Sequence, residues 1–117
     1  MYTELHCLSH YSFLRGASAP EELVSRAARC GYDGLAITDE CSLAGVVKAH
    51  VAAKEHQLKL IIGSELTLTE GIRLVALVPN RAAYGELSGL ISRARRRTGK
   101  GEYIVNLRDV IFHLKLC

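Results

Sequence analysis

Residues 35–45 decide the fold, and they read Leu35-Ala36-Ile37-Thr38-Asp39-Glu40-Cys41-Ser42-Leu43-Ala44-Gly45. A short apolar run ends abruptly in two adjacent carboxylates, and small and hydroxylated residues then lead into a helical pattern. In α/β proteins, ligands and metals bind at the carboxyl ends of parallel strands. Asp39 and Glu40 are therefore the first candidates for chemistry.

The region before this stretch predicts a β-loop-α-β unit. Residues 2–8 have the composition of a first strand, and a loop follows them. Ser18 and Glu21 have the spacing of a capping box, so we expect a helix that begins near them and ends at Gly31. Residues 35–38 are then the second strand.

The region after this stretch continues the alternation of strand and helix. The predicted elements are a helix over 43–57, a strand over 58–63, a hairpin or one extended strand over 66–69 and 72–78, a helix over 81–96 capped by Asn80, and a weak strand or helix over 103–117. Such alternation implies parallel strands and an α/β fold, either a segment of a (β/α) barrel or a doubly wound sheet.

The bulk composition is that of one soluble globular domain or part of one, with 49% hydrophobic and 23% charged residues in 117. No apolar run approaches the roughly 20 residues of a membrane helix, and the start lacks the features of a secretory signal. We therefore expect a cytoplasmic protein with no membrane partner. Its four cysteines show no CxxC pairing, so we expect reduced thiols and not a zinc site.

Three predicted strand ends carry candidate metal ligands: His6, the Asp39-Glu40 pair, and Glu65. If the strands are parallel neighbours, these side chains converge on one edge of the sheet, where a histidine with carboxylates suits zinc or manganese. Such a metal could generate a nucleophilic hydroxide. Each residue also has a structural interpretation: a packed core histidine, a helix cap at Asp39, and a surface pair between Glu65 and Lys59.

One basic cluster lies near the end of the third predicted helix and contains Arg93, Arg95, Arg96, Arg97 and Lys100. Cations at a helix C-terminus are stabilised by the helix dipole and the free carbonyl groups. The same cluster could instead contact the phosphates of a nucleic acid. No aromatic residues are interleaved with it, so a platform for stacking single-stranded bases is not indicated.

Three ordered stretches carry a family resemblance: residues 5–18 (LHCLSHYSFLRGAS), residues 35–45, and residues 60–65 (LIIGSE). Together they resemble the start of a PHP (polymerase and histidinol phosphatase) domain. More narrowly, they are similar to the N-terminal region of bacterial error-prone DNA polymerases, which are family C relatives of the replicative polymerase III alpha subunit. The resemblance divides the chain into a partial PHP domain over 1–103 and a divergent C-terminal tail over 104–117.

The resemblance implies a distorted (β/α) barrel with a metal cluster at the carboxyl ends of its strands. A complete barrel of this kind needs on the order of 250 residues. We therefore expect roughly the first half of such a barrel, truncated relative to the family. The implied partners are the remainder of the polymerase and DNA.

The resemblance also implies a set of ligand positions, which this sequence keeps only in part. His6 matches the first residue of the family's His-x-His pair, whereas Leu8 stands at the second, and Arg15 replaces an acidic ligand. Glu40 stands where metal-binding members have a histidine, and Glu65 keeps its family position. The implied site is a remnant formed by His6, Asp39, Glu40 and Glu65, with no residue assigned a catalytic role.

Three hypotheses follow. The first is a non-catalytic or weakly active PHP fragment of an error-prone polymerase that acts in DNA replication and damage tolerance, with no resident cofactor. The second is a metal-dependent phosphoesterase or 3′–5′ exonuclease that uses zinc or manganese on His6, Glu40 and Glu65, with Asp39 able to complete the ligand set. The third is a nucleic-acid-binding module centred on the basic cluster.

Overall fold

The computed structural model describes residues 2–12 and 16–117. In that part of the chain the elements follow one another as β1 (Thr3–Cys7), α1 (Pro20–Arg29), β2 (Gly34–Ile37), α2 (Val46–His56), β3 (Lys59–Thr67), β4 (Arg73–Val78), α3 (Arg81–Arg96) and α4 (Leu107–His113). The predicted alternation of strand and helix is confirmed.

The four strands form one sheet in the order β1-β2-β3-β4. The first three strands are parallel, and β4 returns antiparallel to β3. All four residues of β2 are buried, as expected for a central parallel strand covered on both faces. The predicted hairpin is therefore confirmed, and the alternative of one extended strand over 66–78 is wrong.

Strand β3 is longer than the sequence predicted, because it continues through Thr67 rather than ending near residue 63. Its pairing partner supplies the reason: β4 forms a ladder with β3 from Ile62 opposite Val78 to Thr67 opposite Arg73. Glu65 therefore lies inside a strand and not beyond its end.

The predicted capping box of α1, Ser18 with Glu21, is wrong by one residue, because the N-cap is Ala19. Pro20 is the first helical residue, and Ala19 before it has an extended backbone with ψ 152°, the conformation that a following proline favours. Glu22, rather than Glu21, reaches back to accept a hydrogen bond from Ala19 N at 3.2 Å.

Helix α2 begins at Val46 and not at residue 43. The backbone N–H of Ser42 donates to Ser64 Oγ at 3.2 Å, and that of Ala44 donates to Ser42 Oγ at 3.1 Å. These contacts hold the segment in turns outside the helix. By contrast, α3 has the predicted bounds and the predicted Asn80 cap, and residues 103–117 contain helix α4.

Among the described residues, the core includes two separate hydrophobic clusters. The first cluster draws on α1, β2 and α2 and consists of Val24, Ala27, Leu35, Ile37, Ala49, Ala52, Ala53 and Leu58. The second cluster draws on the segment after β2, the end of β3 and the residue after it, α3, and the segment after α3. It consists of Cys41, Leu66, Leu68, Leu90, Ala94 and Val105. Among the helices of residues 2–12 and 16–117, none is long and apolar enough to cross a membrane.

Candidate functional site

The predicted ligand residues lie along one edge of the sheet, which we call the rim: His6, Asp39, Glu40 and Glu65. His6 lies near the end of β1, Asp39 and Glu40 follow β2, and Glu65 lies in β3. A parallel bridge joins Glu40 to Glu65. In it, Cys41 N donates to Glu65 O at 2.8 Å and Glu65 N donates to Asp39 O at 3.1 Å.

His6 and Glu65 are in direct contact across the rim, with His6 Nε2 2.9 Å from Glu65 Oε1. The side chain of Glu65 is fully buried, whereas that of His6 is 45% exposed. His6 is therefore not a packed core histidine. A surface pair with Lys59 does not describe Glu65 either, since its side chain does not reach the surface.

Asp39 is 1% exposed, and its carboxylate is held by the loop that follows β1. Ser9 N donates to Oδ1 and Ser9 Oγ to Oδ2, both at 2.6 Å, and Ser12 Oγ donates to Oδ1 at 2.8 Å. Asp39 does not cap the next helix, because the N-cap of α2 is Gly45 and it has no side-chain bond.

Glu40 contacts the segment that follows α3, where Tyr103 OH donates to Glu40 Oε2 at 2.7 Å. Burial, together with this hydrogen bond, raises the pKa of the Tyr103 phenol. The two side chains border an open cleft of about 310 Å³ that is lined by Tyr11, Ser12, Glu40, Arg95, Gly101 and Tyr103.

The backbone just after Glu40 has an unusual conformation. Cys41 has φ 44°, which lies in the left-handed region that residues other than glycine rarely adopt. Arg95 Nη2 donates to the carbonyl of Cys41 at 3.0 Å and to that of Glu40 at 3.3 Å. Burial raises the pKa of the Cys41 thiol to about 11, although nearby Arg95 acts in the opposite direction.

Four hydroxyl groups that hold the rim were not among the predicted site residues: Ser9, Ser12, Ser64 and Tyr103. Ser64 Oγ donates to Asp39 O at 2.7 Å, which ties β3 to the end of β2. The signal that could have indicated the two loop residues is the Ser9-x-x-Ser12 spacing directly after the first strand. No local pattern pointed to Tyr103.

A resident zinc or manganese does not fit the described residues. Within residues 2–12 and 16–117, no three His, Cys, Asp or Glu side chains form a group that could hold a metal ion, whereas zinc sites use three or four protein ligands. Both Asp39 oxygens already accept protein hydrogen bonds, and Leu8 has no donor atom. Arg15, the other changed position, lies outside the described residues.

The basic cluster is split between internal contacts and exposed side chains. Arg95 binds rim carbonyls and lies over the Tyr103 ring, 5.1 Å from its centroid, and Arg97 Nη2 donates to Asp109 Oδ1 at 2.9 Å. Arg93, Arg96 and Lys100 are exposed. Binding of a nucleic acid by this cluster stays a prediction, and these three residues are the ones on which it now depends.

Comparison with known proteins adds relatives of the same fold. The PHP domain profile matches residues 4–111. The error-prone DNA polymerase of Saccharophagus degradans is 60% identical over 116 residues, which are 99% of this chain and 11% of that polymerase. The error-prone DNA polymerase of Dechloromonas aromatica is 61% identical over 109 residues, 93% of this chain and 11% of the polymerase.

Two solved structures share the architecture. A protein from Bifidobacterium adolescentis described as a metal-dependent phosphoesterase has a TM-score of 0.67 and 26% identity, covering 98% of this chain and 44% of its own. An amidohydrolase from Chromobacterium violaceum, solved with bound sulfate and no metal, has a TM-score of 0.67 and 27% identity, covering 82% of this chain and 34% of its own. The predicted partial PHP-type α/β fold is confirmed.

The chain spans about 11% of the length of the polymerases to which we compared it. Its profile match covers most of its residues, and the rim residues lie in or just after the three parallel strands of the sheet. The chain therefore belongs to the PHP domain family and corresponds to the PHP region of error-prone DNA polymerases.

Proposed function

We propose that this chain serves as a non-catalytic, structural part of the PHP domain of an error-prone DNA polymerase. The polymerase would synthesise DNA in the cytoplasm during replication and repair, including across damaged templates, as a nucleotidyltransferase. The observation that carries this proposal is the 60% identity to such a polymerase over 99% of the chain. The partners would be the remainder of the polymerase and, through it, DNA.

The hydrogen bonds of the rim residues support a non-catalytic role. A hydrolytic metal site needs carboxylate and imidazole groups that converge on an open position. Here Asp39 is engaged by two serines, and Glu40 accepts from Tyr103. The remnant set of His6, Asp39, Glu40 and Glu65 would therefore act in holding the fold, and no reaction step is assigned to it.

A chimera tests the proposed role in the polymerase. In it, this chain replaces the 116 aligned residues of the Saccharophagus degradans polymerase. We expect primer extension on undamaged and damaged templates at a level comparable to the parent enzyme. A His6→Ala version that remains soluble and monodisperse should extend primers equally well, because His6 has no catalytic role in the proposal. A soluble, monodisperse chimera that fails to extend primers would contradict it.

The second candidate function is a metal-dependent phosphoesterase or 3′–5′ exonuclease that uses His6, Glu40 and Glu65 with zinc or manganese. The similarity to a protein described as a metal-dependent phosphoesterase favours it. The test incubates the purified chain with Mn²⁺ or Zn²⁺ and either end-labelled single-stranded DNA or an aryl phosphate. We expect the same background for the wild type and for His6→Ala. Metal-dependent turnover that His6→Ala abolishes would establish this second function instead.

A further inference from the structure

We propose that the rim of this chain is fixed by protein hydrogen bonds in place of a bound cation, so that its order and stability do not depend on a metal. This inference concerns the same residues as the proposed non-catalytic role. It makes a separate claim, because a protein can lack activity and still need a metal to fold.

The first tie is the serine clamp, which we define as Ser9, Ser12 and Asp39. A buried carboxylate is costly unless hydrogen-bond donors replace its hydration. The clamp directs three donors at the two Asp39 oxygens, at 2.6, 2.6 and 2.8 Å. Hydrogen bonds to an ionised acceptor are among the strongest in proteins. The negative charge that a cation would otherwise balance is thus solvated by the chain itself.

The loop that carries the two clamp serines also has hydrogen bonds of its own. Within the loop, Ser12 N donates to Ser9 O at 3.0 Å and Tyr11 N donates to Ser9 Oγ at 3.2 Å. Ser12 Oγ also accepts from Glu40 N at 3.0 Å. The same hydroxyl therefore joins the loop to both rim carboxylate residues after β2.

The second tie joins the rim to the segment around α3. Tyr103 OH donates to Glu40 Oε2, and the Arg95 guanidinium donates to the carbonyls of Glu40 and Cys41. Cys41 is the residue with the left-handed backbone, and such a conformation persists only where surrounding contacts over-determine it. Arg95 supplies these contacts from outside the sheet.

A cation at the rim would have to undo these ties. It would face hydroxyl hydrogens at Asp39 and compete with Tyr103 for Glu40, and within residues 2–12 and 16–117 no third ligand joins His6 and Glu65. Arg95 also places a fixed positive charge beside the Glu40 and Cys41 carbonyls. Each of these features lowers the affinity of the rim for a divalent ion. The same hydrogen bonds hold the rim residues in place without one.

Thermal melting of the full chain tests the inference, using circular dichroism in buffer with EDTA and in buffer with Mn²⁺. We expect the same melting curve in both conditions and no heat of Mn²⁺ binding by calorimetry. Ser12→Ala and Asp39→Asn should each lower Tm, and the double variant should lower it by less than the sum, because the two residues share one hydrogen bond. Ser92→Ala, at an exposed position of α3, is the matched control and should not lower Tm.

A Tm that Mn²⁺ raises in the wild type, and that His6→Ala makes insensitive to Mn²⁺, would overturn the inference. Additive effects of Ser12→Ala and Asp39→Asn would overturn the clamp specifically. If Asp39→Asn does not fold, Ser12→Ala and the wild-type Mn²⁺ titration remain decisive. Primer extension by the chimera is independent of these results, so failure here would leave the proposed role in the polymerase standing.

Discussion

A side chain at Gly16 would collide with the loop that holds Asp39. An ideal Cβ built there lies 2.0 Å from Ser9 O, a backbone atom that cannot move without disturbing the clamp. We expect Gly16→Ala to lower the free energy of unfolding by about 1–3 kcal/mol, the usual cost of overpacking. Urea unfolding followed by circular dichroism measures this difference.

Gly89→Ala is the control for this substitution. A Cβ at Gly89 meets nothing within 4 Å, and the residue lies inside helix α3, so alanine there should stabilise the protein by roughly 0.5–1 kcal/mol. Equal effects of the two substitutions would contradict the close approach at Gly16.

Acid should weaken the attachment of α4 at a defined pH. Hydrogen bonding to Arg97 lowers the pKa of Asp109 from 3.8 to about 2. A carboxyl group with a lowered pKa stabilises the folded state above its unfolded pKa, and that stabilisation is lost as pH falls through the folded value. We therefore expect the free energy of unfolding to decline between about pH 4 and pH 2, as Asp109 is protonated and its ion pair with Arg97 is lost.

The matched variant for the acid experiment is Asp109→Asn. The difference in unfolding free energy between wild type and Asp109→Asn should shrink as pH falls across that interval, measured by urea unfolding at each pH. A difference that stays constant from pH 5 to pH 2, an interval spanning the two pKa values of a shifted carboxyl group, would show that the Arg97 pair does not act on folding.

Residue types were easier to predict than residue partners. The sequence indicated His6, Asp39, Glu40 and Glu65 because carboxylates and a histidine followed apolar strands. It could not indicate their contacts, since Asp39 meets Ser9 across 30 residues and Glu40 meets Tyr103 across 63. Such contacts depend on how distant segments meet, and no local periodicity reports that.

At the scale of elements, local signals predicted α3 well and α2 poorly. Asn80 caps α3 through its side chain, whose Oδ1 accepts a hydrogen bond from Ala83 N at 2.9 Å. The start of this helix is therefore determined by residues close together in the sequence. The start of α2 depends on Ser64, which lies in β3 and is distant in sequence. Its hydroxyl accepts a hydrogen bond from Ser42 N and so keeps Ser42 outside the helix. Element boundaries set by distant residues are the ones that the sequence did not reveal.

The boundary predicted at residue 103 can be tested through Val105. Val105 is 1% exposed within the second cluster, and its carbonyl accepts from Thr69 N at 2.9 Å. We expect Val105→Ala to cost about 2 kcal/mol, from two lost methylene equivalents and the cavity left behind. Thermal and urea unfolding provide the measurement.

The neighbouring Ile104→Ala is the control, because Ile104 is 41% exposed and a surface substitution changes stability by only about 0.5 kcal/mol. If both substitutions have the same small effect, residues 104–117 behave as a peripheral tail. If only Val105→Ala is costly, those residues belong to the folded unit.

At the scale of the whole molecule, the core of the part that the structure describes includes two clusters that share no residue. We expect unfolding in more than one step. Leu35→Ala in the first cluster and Leu90→Ala in the second should each cost about 2–5 kcal/mol, and each should speed amide hydrogen exchange mainly in its own half. Uniform acceleration across the chain in both variants would instead indicate one cooperative unit.

The overall architecture was the most predictable property. Alternating strand and helix patterns gave three parallel strands and a hairpin, because each pattern is repeated over many residues and tolerates local error. The extent of β3 was missed because only the pairing with β4 extends it.

The buried thiol of Cys41 can report how often the structure opens at the rim. Thiolate is the reactive species, and this thiol is fully buried with its pKa near 11, whereas Cys30 and Cys117 are exposed. An alkylating reagent therefore reaches Cys41 only when Arg95 and Tyr103 move away from the strand end. The rate at which Cys41 is labelled, distinguished from the other cysteines by mass spectrometry, would thus report the opening of this part of the structure.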